Sequence, residues 1–123
     1  MQAIKKIGLA ALGVVVILWG LKFTSSNLRI EGYWGLLFEY LSPKHDTVFA
    51  DEYTDKGFLK INKGMTEKEV LEILGEPIVR WEPRDEIVGF QYSESPSSTH
   101  YRLRQVYLKD KIVVERIGYY YID

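Results

Sequence analysis

The chain opens on an unbroken apolar run. Residues 7–21 carry no charge, include Val14, Val15, Val16, Ile17 and Leu18, and are bracketed by Lys5 and Lys6 on one side and Lys22 on the other. Such a run predicts a membrane-spanning helix. Its length sits near the lower end of the roughly 17 to 25 residues a span needs, but Phe23 lengthens the apolar stretch and Lys22 can snorkel to the boundary. Ile7, Val15, Leu18 and Trp19 are the expected anchor, which makes the lipid bilayer the first expected partner. A cleaved signal peptide is the rival reading. Residues 20–26 read Gly-Leu-Lys-Phe-Thr-Ser-Ser and offer no small-x-small cleavage site, so the expectation is an uncleaved signal anchor. The basic residues ahead of the run favour a cytoplasmic N-terminus in an inner membrane, with the rest of the chain outside the cytoplasm, periplasmic in a Gram-negative cell. Lys22 and Arg29 pull the other way.

Beyond a short polar joint at 24–27, residues 33–41 are strongly apolar and aromatic, with Leu37, Tyr40 and Leu41 on one helical face. This stretch reads either as core or as a membrane-interface segment, with core favoured because a small domain needs the buried area. Residues 42–46 read as a loop, and 51–57 as a polar turn or short helix leading into Phe58. Segments 78–82, 87–92, 101–109 and 112–122 are rich in β-branched and aromatic residues and read as strands. Lys109-Asp110-Lys111 suits a tight hairpin, and 93–100 reads as a mobile polar connection.

Between Phe58 and the strands lies the most fully specified helix. Thr66 is a good N-cap, Glu69 three residues on completes a capping box, and Met65 and Val70 occupy the staple positions. Val70, Ile73 and Leu74 form an apolar stripe. Gly75 is expected to end the helix in a left-handed conformation, with Pro77 preventing its resumption. The pattern predicts an α+β fold: an N-terminal transmembrane helix, then a small domain with helices on one face of a three- to four-stranded antiparallel sheet. The expected divisions are 1–23 as cytoplasmic tip and anchor, 24–57 as a juxtamembrane segment, and 58–123 as the α+β domain.

The Phe58 lead-in, Gly64-Met65-Thr66, Glu69-Val70 and the ending Leu74-Gly75-Glu76-Pro77 together resemble the BamE-like (SmpA/OmlA) envelope domain family over the second half of the chain. The resemblance implies a non-catalytic scaffold in an envelope-assembly complex, with contact to phospholipid head groups. The chain departs from the family in having no cysteine to carry its usual lipid. An apolar helix stands in its place, which points to an accessory subunit of an inner-membrane or envelope complex. The alternative is a tethered or secreted inhibitor or ligand-sensing domain resembling one repeat of the β-lactamase-inhibitory protein.

Composition narrows the chemistry. With 123 residues, 46% hydrophobic and 14% aromatic, the chain can fill one small core. Lacking cysteine, it has no disulfide, thiol nucleophile or thiolate metal site. Setting aside Lys5, Lys6 and Lys22 leaves 13 basic against 17 acidic residues, a balance of −4 that argues against nucleic acid. Arg102 and Arg104 are the densest basic pair. The acidic residues around His45 and Asp46 follow no metal-ligand spacing, and His100 beside a serine-rich segment lacks any nucleophile elbow. No catalysis, cofactor or metal is expected. The remaining signal is Tyr119, Tyr120 and Tyr121 on a final strand that is apolar on both sides, expected to bind a partner through whichever side faces away from the helices.

Overall fold

The structure is a computed structural model that describes residues 2–24, 26–41 and 45–122, with side chains at 20–24 excepted. Helix α1, Gln2–Thr24, leads into α2, Ser26–Leu41, which is broken at Gly32 (φ 74°, ψ −177°). Next come β1 (Val48–Phe49), α3 (Asp55–Lys60), α4 (Glu67–Leu74), β2 (Val79–Arg84), β3 (Ile87–Gln91), β4 (Ser93–Glu94), β5 (Tyr101–Lys109) and β6 (Ile112–Tyr121). The main sheet is an antiparallel meander in the order β2-β3-β5-β6, while β1 and β4 form a separate two-stranded ribbon. The fold is α+β, as the hydrophobic pattern predicts, with four strands in the main sheet. The β1–β4 ribbon has no forerunner in the sequence reading.

Helix α1 is long and apolar enough to cross a membrane: the stretch Gln2–Trp19 has a mean hydropathy of 1.7 and no buried residue. Ile7, Val15, Leu18 and Trp19, the residues expected to form an anchor, are all exposed on it. Phe58, Ile61, Val70, Leu74, Phe90, Tyr92, Val106, Leu108 and Val113 make the core between the helices and one face of the sheet. Glycine sets how closely the layers approach. A Cβ on Gly118 of β6 would collide with Ile30 Cγ2 and lie 3.0 Å from Phe58 Cε1, so its absence gives α2 a seat on the strand. Arg116 donates to the Phe58, Leu59 and Ile61 carbonyls at 3.0 to 3.2 Å, placing a cation at the C-terminal end of α3 where the helix dipole favours one.

Helix α4 starts at its expected cap. The Thr66 hydroxyl accepts from Glu69 N–H at 3.2 Å and donates to the Glu69 carboxylate at 3.2 Å, so the box closes through the hydroxyl. Gly75 follows the last turn with φ 74° as expected, but its ψ of −164° lies outside the left-handed helical well. Pro77 sits beyond the helix end.

Two expectations need correction. Residues 33–41 do not fill the core: Trp34 is 72% and Tyr40 84% exposed, and Tyr33, Leu36, Leu37 and Leu41 are exposed as well. The strongly apolar stretch sits outside because Phe58, Val70 and the strand residues already fill the interior. Nor is 93–100 a free connection, since Ser93 is fully buried in β4 and the Asp46 carboxylate fastens Ser95 and Ser97 beyond it.

Candidate interaction surface

Which residues β6 turns outward is fixed by its register. Tyr101 pairs with Tyr121, Arg102 with Tyr120, Leu103 with Tyr119 and Val106 with Arg116, until an extra residue at Val114 shifts the ladder and places Val113 opposite Leu108. Simple alternation puts Val113 with Tyr119 and Tyr121. The bulge instead moves it to the helix side, where it is buried with Leu108, and so resolves why β6 reads as apolar on both faces.

Tyr120 therefore points inward. It is 4% exposed, with His45 edge-on at 5.9 Å and the Arg102 guanidinium 5.6 Å from its ring centre. Among the three tyrosines expected to bind a partner, the structure turns Tyr119 (45% exposed) and Tyr121 (38%) away from the helices. The Tyr121 ring lies 5.4 Å from that of Tyr101, and Leu103 is buried opposite Tyr119.

A second aromatic group, Trp81 on β2 and Tyr107 on β5, occupies the same side of the sheet. Trp81 lies across the backbone of Gly89, where an added Cβ would fall 2.6 Å from the indole. Its ring meets Tyr107 edge-on at 5.7 Å, and Arg84 stands over Tyr107 at 5.9 Å. Between the two groups runs a polar seam in which Gln105 donates to Gln91 at 3.2 Å and Tyr107 donates to Gln105 at 3.3 Å. Large rings with polar tips around a hydrogen-bonding seam make a surface suited to protein contact, since each ring offers area at low entropic cost. Nothing in the sequence alone joins Trp81 to Tyr107, because only the register, Trp81 opposite Gly89 and Gly89 opposite Tyr107, brings them to one side.

On the helix side, Arg102 and Arg104 are buried beneath α2. Glu31 accepts from both, from Arg102 Nη1 and from Arg104 Nη1 at 3.2 Å, while Glu39 pairs with Arg102 and Asp55 with Arg104 Nε at 3.3 Å. The two arginines, which the sequence offers only as its densest basic pair, form an internal clamp between α2 and the sheet.

Asp46 organises the loop between β4 and β5. Its carboxylate accepts from the Ser95 and Ser97 hydroxyls at 2.5 Å, from Ser97 N–H at 2.9 Å and from the Thr99 hydroxyl at 3.2 Å. Hydrogen bonds from Ser95 and Ser97 hold its carboxyl well below the usual carboxylate range. A depressed folded-state value stabilises the loop above the unfolded value near 3.9, and that contribution is lost only as pH falls through the lower folded value. The Ser97 amide is therefore expected to stay protected from hydrogen exchange at about pH 3, where an ordinary carboxylate is mostly protonated, after correction for intrinsic rate, and to lose protection in Asp46→Ala at neutral pH. Protection already gone at about pH 3 would mean an ordinary, unfastened carboxylate.

Among the described residues no group of His, Asp and Glu is placed to hold a metal ion. No family model matches the chain, and no curated protein matches it as a relative.

Proposed function

We propose that the chain is a single-pass, membrane-anchored interaction module without catalysis of its own. It serves as an accessory or scaffold subunit of an inner-membrane or envelope-assembly complex, in the manner that the BamE-like resemblance implies, with its sheet domain outside the cytoplasm. The observation that carries this reading is the pairing of an exposed apolar helix with an outward aromatic sheet face built from Trp81, Tyr107, Tyr119 and Tyr121. The exposed helix supports membrane attachment. The aromatic face supports a protein partner, because large outward rings on a small domain call for a cover. Orientation rests on Lys5 and Lys6 ahead of the span.

The test is co-purification from gently solubilised membranes, with Tyr119 and Tyr121 both changed to Ser. Loss of two aromatic contacts is worth about 2 kcal/mol or more, roughly a 30-fold loss of partner. The melting temperature should stay near that of the parent, whereas Tyr120→Ser should lower it. Retention of every partner by the double variant, or a melting loss equal to that of Tyr120→Ser, refutes the reading.

A further inference from the structure

We propose that residues 33–41 lie flat in the interfacial layer of the bilayer leaflet in which α1 ends, so that the domain is seated on the membrane and not merely tethered to it. This rests on the membrane span of the proposed function. Three observations converge on lipid as the cover. The Tyr33 hydroxyl donates to the Leu18 carbonyl of α1 at 2.7 Å. At 1.5 Å per residue, that contact lies about 6 Å before Lys22, the charged position that bounds the apolar run. The helix is broken at Gly32, and just beyond the break Tyr33 touches α1 within its apolar run.

The second observation is charge. Glu39 is the one ionisable carboxylate or base between 33 and 41, and it is turned to the domain, where it pairs with Arg102. What remains outward is uncharged: Trp34, Leu37, Tyr40 and Leu41, at spacings that share one helical side, with Trp34 stacked on Phe38 at 6.2 Å. Thirdly, tryptophan and tyrosine beside leucine are the residues that membrane–water boundaries favour, the rings immersed and their polar tips at head-group level. A protein groove would be served by the same leucines, but nothing in it would require the contact with α1. Seating also has a structural consequence, because Glu31 and Glu39 bind α2 to Arg102 and Arg104. The angle of the sheet to the membrane is then set by α2, and the aromatic face is presented in one orientation.

The experiment places the full chain in phosphatidylcholine vesicles, with or without acyl chains brominated near the head group. The chain has three tryptophans, Trp19, Trp34 and Trp81, so single-tryptophan variants report separately on span, α2 and sheet. Trp34 alone, with Trp19→Phe and Trp81→Phe, is expected to lose at least half its emission to brominated lipid and to resist acrylamide. Trp81 alone should show the reverse. Quenching of Trp34 by acrylamide and not by bromine would overturn the proposal, as would shielding from both, which means a protein or second copy covers the helix. If Trp19 alone is quenched by bromine while Trp34 is not, the seating fails and the anchor stands; if neither is quenched, the anchor itself fails. Because the chain has no cysteine, Tyr40→Cys carrying a nitroxide gives an independent reading. Collision with oxygen should exceed collision with a water-soluble nickel complex, and the opposite order overturns the proposal.

Discussion

Glu31→Ala is expected to lower the melting temperature by more than 10 °C, the largest effect of any single carboxylate in the chain. The Glu31 side chain is 1% exposed and its two oxygens serve two different guanidinia, Arg102 and Arg104, both of them buried. Removing it leaves two cations inside the domain with only Glu39 and Asp55 at their margins. Breaking a buried pair from one side costs about 3 to 5 kcal/mol, because the charge left behind has lost water as well as its partner. For a domain of this size each kcal/mol moves the midpoint by roughly 4 to 8 °C. Glu39→Ala supplies the comparison: its side chain is more than a third exposed, and as a margin residue it should cost less than about 1 kcal/mol. Calorimetry on both variants decides the matter. Equal losses would mean that the clamp is a surface ion pair drawn tightly, and the coupling of α2 to the sheet would need another cause.

The clamp also shows where sequence reading stops. Helix α4 and strands β3, β5 and β6 are legible because their signals are local: a cap at Thr66, a stop at Gly75, alternating apolar residues, and Asp110-Lys111 at a hairpin where both residues take positive φ. The exposed apolar helix is legible for the same reason. Arg102 and Arg104 carry no such signal. Spacing of two in a strand says only that they share a side, and their partner Glu31 lies about 70 residues away, in a segment whose amphipathic pattern is interrupted at Gly32. The inward turn of Tyr120 was within reach of parity, whereas the position of Val113 was not, since a bulge is one extra residue and shifts no composition. Residues 33–41, where the favoured core reading fails, are ambiguous for a physical reason as well. Apolar density is a sign of burial, but it does not say whether protein or lipid does the burying.

Gly75→Val is expected to cost roughly 3 kcal/mol or more, from two sources that can be separated. The backbone at Gly75, φ 74° and ψ −164°, lies in a region that only glycine occupies readily, and forcing another residue there costs about 1 to 3 kcal/mol. An added Cβ would also fall 2.6 Å from Glu52 Cβ, so a side chain must displace the turn that leads into α3, at a further cost of about 1 to 3 kcal/mol. Neither neighbour can simply move away. Gly75 N–H donates to Leu71 at 2.9 Å, and its carbonyl accepts from the buried Tyr92 hydroxyl at 3.0 Å, which ties the helix end to the core. Gly64 isolates the first source: its φ is +93°, yet an added Cβ meets nothing within 4 Å, so Gly64→Ala should show strain alone, about 1 to 2 kcal/mol. Gly75→Ala should exceed it. Introducing Glu52→Gly beneath Gly75→Ala removes the clash and should bring the two alanine variants to similar losses, a coupling that a double-mutant cycle reads directly. A Gly75→Val chain that melts with the parent would show that the helix end relaxes without strain, and the terminator would then contribute nothing that alanine cannot.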